Sequence, residues 1–351
     1  MTGNIRIISY GLGSIGGEIA KFILEKKGLE IVGAIDTSKE KIGKDLGILL
    51  GLDNQLNITV SEDAETLFSQ TKADLVIHAT SSYFKETYPQ LMKCVKNKLN
   101  IISTCEELVY PYLKYPKLAS KLDKLAKING VTVLGTGINP GYLMDTLPII
   151  LTGPCKEVTS VKVVRLMYSG NRRWSYQKKI GTGLAPTEFK KMIGEGTITG
   201  HVGLAESIAM VAAALGWNLE QIRVLPPKPI ISRNEIKTTY TIVHPGQVGG
   251  VKSEAYGLMN RKKAISLRFV SHVNVKKPYD QITIKGIPDI QQKISGGING
   301  DSGTVAIVVN AIPKVLNAQV GLITMKEIPV LSATTRDMRT YLVEEERRRG
   351  Q

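Results

Sequence analysis

The segment IRIISYGLGSIGG, residues 5–17, gives the strongest indication of the fold of this chain. Its first part, Ile5–Ser9, is rich in β-branched residues and predicts a strand. The glycines that follow are spaced as G-x-G-x-x-G, and a helical pattern then covers Glu18–Lys27. A strand, a glycine turn and a helix in this order are typical of the first part of a dinucleotide-binding Rossmann fold.

Short apolar strands alternate with helical segments through the first 135 or so residues. After the first strand, further strands are predicted at Leu29–Asp36, Ile58–Val60, Asp74–His78, Asn100–Ser103 and Val131–Leu134. This alternation is the signature of a doubly wound parallel sheet. We therefore predict an α/β chain whose residues 1–140 form a Rossmann domain.

Beyond Pro140 the pattern changes to longer alternating strands interrupted by helices. Strands are predicted at Val158–Met167, Lys237–Val243, Ala264–Val275 and Gln281–Ile284, and helices at Ala185–Ile193 and Val202–Leu215. We predict that residues 141–300 form a second, α+β domain with a mixed or antiparallel sheet, which would bind substrate.

Residues 301–351 are predicted to be a C-terminal segment with two parts. The apolar stretch Gly303–Val315 predicts a buried helix that packs back against the Rossmann domain. The charged stretch Arg336–Gln351 predicts a solvated helix end or tail.

The composition argues against a disulfide-stapled, a zinc-binding and a membrane-spanning protein. With 351 residues, 42% of them hydrophobic, the chain can bury a core in each of two domains. Cys94, Cys105 and Cys155 are too few and too scattered for a disulfide framework or a zinc site, so we expect a cytoplasmic protein without a metal. The N-terminus lacks a signal-peptide pattern, and no apolar run reaches the roughly 18 residues of a membrane span, so we expect no membrane association.

The net charge of +15 raises the question of an anionic partner. Basic residues are spread along the whole chain, without the aromatic-interleaved basic motif of RNA-binding modules. We therefore expect a small-molecule ligand and no nucleic acid.

The glycine turn predicts where a dinucleotide binds. Gly11 permits the tight turn, Gly13 lets a pyrophosphate approach, and Gly16 lets the helix pack closely. Asp36, twenty residues after Gly16, is placed to accept hydrogen bonds from the adenosine ribose. The predicted cofactor-binding residues are Gly11, Leu12, Gly13, Ser14, Ile15, Gly16, Asp36, Thr37, Lys39, Thr80 and Ser81.

The choice between NAD and NADP stays open in the sequence. Asp36 favours NAD because its charge repels a 2′-phosphate. Lys39 and Lys41 follow closely and could pair with that phosphate, so dual use is expected.

Acidic residues follow the strand Asn100–Ser103. Glu106 and Glu107 could act as a general base or hold a cationic amine, although acids are also common in the first turn of a solvated helix. His78 ends the preceding strand and could be catalytic or simply packed.

Other polar residues are candidates for binding substrate. Arginine suits a carboxylate because its planar fork forms two parallel hydrogen bonds, although a loop arginine can equally be solvated. The candidates are Asn139, Tyr168, Arg172, Arg173 and His201. Asp145 is expected to cap the helix Thr146–Leu151, and His244 and His272 are interpreted as structural.

Seven motifs together resemble the 2,4-diaminopentanoate dehydrogenases and the related native amine dehydrogenases. They are GLGSIG (11–16), VGAID (32–36), IGKDLG (42–47), STCEELVYP (103–111), GTGINPGYLMD (135–145), KKIGTGLAPTEF (178–189) and GHVGLAESIAM (200–210). The N-terminal half resembles dihydrodipicolinate reductase more loosely.

The resemblance implies a reversible, NAD(P)-dependent oxidative deamination. The C4 amine of 2,4-diaminopentanoate would lose a hydride, and water would convert the imine into 2-amino-4-oxopentanoate and ammonia, a step of ornithine breakdown. The family uses one glutamate of the segment matching Thr104 to Glu107, so Glu106 and Glu107 both remain candidates. It also implies a homodimer formed through the sheet of the second domain. The alternatives are an amine dehydrogenase acting on simple alkyl amines and a non-catalytic dinucleotide sensor.

Overall fold

A computed structural model of the chain describes residues 3–343, which divide into two structural units. One unit contains the residues up to Tyr142 together with those from Gly300 onward, and the other is Leu143–Asn299. The chain thus leaves the first unit once and later returns to it.

The first unit begins with strands and helices that alternate along the chain. The strands are β1 (Ile5–Tyr10), β2 (Leu29–Ile35), β3 (Val60–Ser61), β4 (Leu75–His78), β5 (Asn100–Ser103) and β6 (Thr132–Gly135). The helices are α1 (Ser14–Leu24), α2 (Leu46–Leu49), α3 (Ala64–Gln70), α4 (Phe84–Lys96) and α5 (Pro116–Asn129). A short 3-10 helix, Glu106–Val109, follows β5.

The second unit is built mainly from long strands. They are β7 (Glu157–Tyr168), β8 (Gln221–Val224), β9 (Lys228–Ile231), β10 (Ile236–Lys237), β11 (Ile242–Val243), β12 (Val248–Met259), β13 (Lys262–His272), β14 (Tyr279–Ile287) and β15 (Ile290–Ser295). Its helices are α6 (Thr146–Leu151), α7 (Trp174–Lys179), α8 (Pro186–Gly194) and α9 (Leu204–Ala214).

The C-terminal segment re-enters the first unit as helix α10 (Gly300–Leu316) and strand β16 (Gly321–Ile323), followed by a 3-10 helix at Met338–Tyr341. Helix α10 packs against α1 and β5 and buries Val308, Val309 and Ile312. The helix predicted from the apolar run Gly303–Val315 is therefore confirmed.

The sheet of the first unit has seven strands in the order β16-β6-β5-β4-β1-β2-β3, and every pairing is parallel. This order confirms the predicted doubly wound Rossmann sheet. Its strands are nearly continuous runs of buried β-branched and leucine residues because helices cover both faces of such a sheet. Tyr10, His78, Ser103 and Gly135 are register partners on four neighbouring strands, so the carboxyl ends of these strands are aligned.

The large sheet of the second unit runs β15-β14-β7-β13-β12-β8, with β9 also paired to β12. It is mixed, because β7 and β13 are parallel while the other pairs are antiparallel. Along β7 the residues Val161, Val163, Arg165 and Met167 are buried and alternate with more exposed ones. The sheet therefore has one covered face, against which α6 and α9 pack.

The prediction of a single strand at Lys237–Val243 is wrong. The structure has two short strands there, β10 and β11, which pair with each other as a hairpin. The Thr238 hydroxyl accepts hydrogen bonds from the backbone N–H groups of Tyr240 and Thr241 and so closes a tight turn. Residues 237–243 are rich in β-branched residues, so their sequence pattern predicts a continuous strand and does not indicate this turn.

The prediction of a solvated end from Arg336 onward is wrong for residues 336–343. Met338 is fully buried, and its backbone N–H donates to the Lys27 carbonyl at 2.9 Å. The Asn317 side chain binds the Tyr341 carbonyl at 2.7 Å. Residues 344–351 lie outside the described part of the chain. Within residues 3–343, no helix has both the length and the apolar character needed to cross a bilayer.

Candidate active site

The aligned carboxyl ends of β1, β4, β5 and β6 gather most of the predicted cofactor and catalytic residues at one edge of the sheet. The glycine turn follows β1, Thr80 and Ser81 follow β4, and Glu106 follows β5. Neighbouring strands lie about 4.8 Å apart, so the turn after β5 is separated from the glycine turn by roughly 10 Å. Ligands of doubly wound sheets bind at this edge.

The glycine turn has the shape that a pyrophosphate requires. Gly11 has a φ of +93°, and a Cβ at Gly16 would lie 1.9 Å from the Gly11 carbonyl oxygen, so neither position accepts a side chain. A Cβ at Gly13 would instead meet no heavy atom within 4 Å, which leaves that side of the turn open. No side chain caps the N-terminus of α1, and its first turn has no acidic residue. The first N–H groups of this helix are thus suited to bind a phosphate.

Asp36 is held at the end of β2 by three hydrogen bonds. Its carboxylate accepts from the backbone N–H groups of Leu12 and Ser38, both at 2.8 Å, and from the ammonium of Lys41 at 2.9 Å. Burial raises the pKa of Asp36, but the hydrogen bonds from Lys41, Ser38 and Leu12 outweigh burial and leave the pKa below its usual value. Asp36 is therefore a carboxylate fixed against the glycine turn.

The remaining predicted cofactor residues differ in their surroundings. Thr37 and Lys39 are exposed. The Thr80 hydroxyl donates to the Gln90 amide oxygen at 2.7 Å, and the Ser81 hydroxyl binds the Glu86 carboxylate. Thr80 is exposed at the carboxyl edge of the sheet, so a ligand at that edge can reach it.

Glu106 and Glu107 are adjacent but play different structural roles. Glu107 is only 4% exposed, and its carboxylate accepts from the Phe84 backbone N–H at 2.9 Å and pairs with Lys114 at 3.0 Å. Because Phe84 is the first residue of α4, Glu107 caps that helix from outside it. Glu106 is half-buried and begins the 3-10 helix that follows β5.

His78 is fully buried beneath this edge. Its Nε2 lies 2.8 Å from the Gln90 amide oxygen, so that nitrogen carries the proton, and Nδ1 accepts from the Ser103 hydroxyl at 2.9 Å. The Ser103 oxygen in turn accepts from the Cys105 backbone N–H at 3.1 Å. Burial, only partly opposed by the hydrogen bond to Gln90, lowers the pKa of His78 to about 4. His78 is a neutral structural link between β4, β5 and the turn that carries Glu106.

A cationic cluster lies on the covered face of the sheet in the second unit. Arg165, on β7, is 1% exposed and pairs with Asp280 at 3.5 Å, and its Nη2 donates to the Ile298 carbonyl at 2.5 Å. Within residues 3–343, its buried Nη1 has no hydrogen-bond partner. The buried Arg172 guanidinium lies 4.2 Å from the centre of the Tyr176 ring.

His201 belongs to the same cluster. Its ring stacks on Phe269 with the ring centres 4.6 Å apart. Burial of the ring and the charges of Lys179 and Arg165 lower the pKa of His201 to about 3. The structure therefore brings together two of the predicted substrate residues, Arg172 and His201, and adds Arg165 and Lys179 to them.

Two further predicted substrate residues are Tyr168, at the end of β7, and Arg173, at the start of α7. Tyr168 lies three positions after Arg165 on β7, and because side chains alternate between the two faces of a strand, its side chain lies on the opposite face of the sheet. Arg173 precedes α7, and its Nε binds the Ser175 hydroxyl at 3.1 Å. Asn139 lies in the turn after β6, in the first unit.

The capping role of Asp145 is confirmed. Its carboxylate accepts from the Thr146 backbone N–H at 2.6 Å at the start of α6 and from the Ser207 hydroxyl at 2.7 Å. His244 forms an exposed contact with Glu235, and His272 accepts from the Asn274 backbone N–H.

Arg165 belongs to the cationic cluster but is not among the residues predicted from the sequence. A signal was present, because Arg165 falls in phase with the apolar residues Val161, Val163 and Met167 in a run that alternates with a period of two. A lone charge on the apolar face of a strand indicates a buried, partnered charge. Only the fold shows that Lys179 and His201 lie near it.

Two family models together match most of the chain. Residues 142–344 match the family model described as the 2,4-diaminopentanoate dehydrogenase C-terminal domain. Residues 5–105 match the model described as dihydrodipicolinate reductase, N-terminus. The fold and the glycine turn thus define a Rossmann-fold oxidoreductase of the dehydrogenase class.

Individual relatives extend over nearly the whole chain. A 2,4-diaminopentanoate dehydrogenase of Acetoanaerobium sticklandii is 34% identical over 354 residues, covering 97% of this chain and 98% of the relative. An amine dehydrogenase of Streptomyces virginiae is 22% identical, covering 95% and 98%. The structure of an amine dehydrogenase from Mycobacterium smegmatis matches with a TM-score of 0.83 and 26% identity, covering 95% and 99%. The chain belongs to the 2,4-diaminopentanoate dehydrogenase family.

Proposed function

We propose that the protein catalyses the reversible, NAD(P)-dependent oxidative deamination of 2,4-diaminopentanoate to 2-amino-4-oxopentanoate and ammonia. The observation that carries the proposal is the position of Glu106. It follows the strand two places from the glycine turn on an aligned sheet edge, in a chain of the 2,4-diaminopentanoate dehydrogenase family.

The residues of the first unit fit the dinucleotide. The open side of Gly13 and the N-terminus of α1 would hold the pyrophosphate, and Asp36 would hold the adenosine ribose. The nicotinamide, when bound, accepts the hydride that leaves the carbon bearing the amine.

Glu106 is proposed as the general base. Once hydride has left the substrate, the carbon–nitrogen double bond must be attacked by water, which has to lose a proton as it attacks. A carboxylate at Glu106 takes this proton and returns it to the departing ammonia. Its negative charge also stabilises the iminium form of the substrate. Glu107 is less suited because its carboxylate already binds Phe84 and Lys114.

The cationic cluster of the second unit supports a substrate that carries a carboxylate. A carboxylate can accept two parallel hydrogen bonds from one guanidinium, and the Arg165 Nη1 is a buried donor that needs an acceptor. Arg172 and Lys179 add positive charge nearby. A simple alkyl amine would leave this charge without a partner in the substrate.

A homodimer through the sheet of the second unit is also proposed. Leu166, Val270 and Tyr279 are cross-strand neighbours on the face opposite Arg165, and each is only partly buried. Helices α6 and α9 pack on the Arg165 face, so a second copy of the chain could cover these apolar side chains.

The substitutions Glu106→Gln and Glu107→Gln form a matched pair that tests the proposal. We expect Glu106→Gln to lower kcat for deamination by about 10²- to 10⁴-fold, the usual contribution of a general base. NADH and NADPH binding should be unchanged in this variant, because Glu106 is not among the residues predicted to bind the dinucleotide. Steady-state kinetics and fluorescence titration measure the two effects.

Glu107→Gln should keep most of the activity but lose about 1 kcal/mol of unfolding free energy, because the ion pair with Lys114 is partly exposed. Full turnover in the Glu106 variant would overturn the assignment of the base.

A further inference from the structure

Lys41 joins the ribose-binding carboxylate to the glycine turn. Its ammonium donates to the Asp36 carboxylate at 2.9 Å and to the Leu12 carbonyl at 3.0 Å. The same Asp36 oxygen accepts the Leu12 backbone N–H at 2.8 Å. Lys41, Asp36 and the glycine turn therefore form a closed ring of hydrogen bonds at the place where the adenosine ribose would lie.

This ring of hydrogen bonds reduces the discrimination that Asp36 would otherwise make against NADP. A bare carboxylate at the end of β2 repels a 2′-phosphate and so selects NAD. In this chain the carboxylate charge is compensated by an ammonium in direct contact with it. The negative potential that would reject a 2′-phosphate is correspondingly reduced.

Lys41 can also bind a phosphate itself. An ammonium has three donors, and two of those on Lys41 are used by Asp36 and Leu12. The side chain of Lys41 is 29% exposed, so a ligand at the ribose position can reach the third donor. A phosphate oxygen accepting from this donor would form a charge-assisted hydrogen bond.

We propose that Lys41 is the residue that lets one site take both NAD(H) and NADP(H), by compensating Asp36 and binding the 2′-phosphate. Asp36 accepts the ribose hydroxyls of NAD(H) in the same site. This inference rests on the dinucleotide-binding part of the proposed function and is independent of the amine chemistry.

Lys39 provides the matched control. It lies two residues before Lys41 in the same loop, but it is exposed and forms no ion pair within residues 3–343. The sequence offers both lysines as partners of a 2′-phosphate and includes Lys39 among the predicted cofactor-binding residues. The structure assigns the role to Lys41 because only its ammonium contacts Asp36.

The test is fluorescence titration of the full chain with NADH and NADPH, without any amine, for the wild type and for Lys41→Met, Lys41→Arg and Lys39→Met. We expect Lys41→Met to raise the Kd for NADPH by about tenfold or more, the usual effect of losing one charge-assisted hydrogen bond. Its Kd for NADH should stay within about threefold of the wild-type value, because the ribose contacts of Asp36 remain.

Lys41→Arg and Lys39→Met should retain NADPH binding. Thermal unfolding checks that each variant is folded, and Lys41→Gln replaces Lys41→Met if the latter is not.

Three outcomes would overturn the inference: a wild-type chain that binds NADH but not NADPH, equal weakening of both cofactors in Lys41→Met, or selective loss of NADPH in Lys39→Met. Failure of the wild type to bind either cofactor would instead overturn the proposed function.

Discussion

At the scale of single residues, His78 shows how burial fixes a protonation state. Its imidazole links Gln90 to Ser103 and contacts no solvent. Protonation would place a charge in this buried position and would break the hydrogen bond that Nδ1 accepts. The neutral form of His78 is therefore part of what holds the turn after β5 in place.

This link makes stability depend on pH. The pKa of His78 falls from 6.5 to about 4 on folding, so the unfolded chain binds more protons between these values. The stabilisation that neutral His78 gives to the folded chain is fully present above pH 6.5. It is lost as the pH falls toward 4, by on the order of 3 kcal/mol of unfolding free energy.

His78→Asn should flatten the decline in unfolding free energy between pH 7.5 and pH 5, measured by denaturant titration. His244→Asn, at an exposed histidine, should leave the slope unchanged, and the same slope in both variants would refute this role for His78.

Residue roles could be predicted from sequence where they depend on local spacing. The glycines and Asp36 lie at fixed distances along one strand, turn, helix and strand, so the structure places them as predicted. The difference between Glu106 and Glu107 could not be predicted. It depends on Phe84, 23 residues away, and on Lys114, whose positions only the folded chain defines.

At the scale of secondary structure, the large sheet of the second unit leaves the face opposite Arg165 only partly buried. Val270 lies near its centre, between Leu166 on β7 and Lys252 on β12. An apolar stripe here, flanked by the ion pairs of Glu254 with Lys252 and Arg268, resembles the apolar core and polar rim of a subunit interface.

Val270→Glu should therefore convert a dimer into a monomer, because it would bury a charge in that interface. Light scattering coupled to size-exclusion chromatography measures the mass. Val330→Glu, at a valine of the first unit that is 67% exposed, is the control and should remain dimeric. A wild-type chain with the mass of one subunit would refute the dimer.

Helices and strands with a strong apolar periodicity can be predicted from the sequence, whereas segments whose shape depends on one hydrogen bond cannot. Strand β7 and helix α10 follow directly from their apolar patterns. The hairpin of β10 and β11 depends on the single hydroxyl of Thr238. The burial of Met338 depends on a hydrogen bond to Lys27, which is distant in sequence.

At the scale of the whole molecule, the sequence predicts the doubly wound sheet because its first glycine turn and alternating elements allow few other topologies. The strand order of the second unit was not predictable in the same way. Its parallel β7–β13 pair joins segments about 100 residues apart, and no local pattern specifies that pairing.

Oxidative deamination is tested most directly by measuring ammonia and reduced dinucleotide in the same reaction, with 2,4-diaminopentanoate and NAD⁺ or NADP⁺. We expect equal amounts of the two products. We also expect a kcat/KM about 100-fold lower for pentane-2,4-diamine, which lacks the carboxylate that the arginine cluster would bind. A chain that binds the dinucleotide but forms neither product from any amine would show that the proposed reaction is wrong.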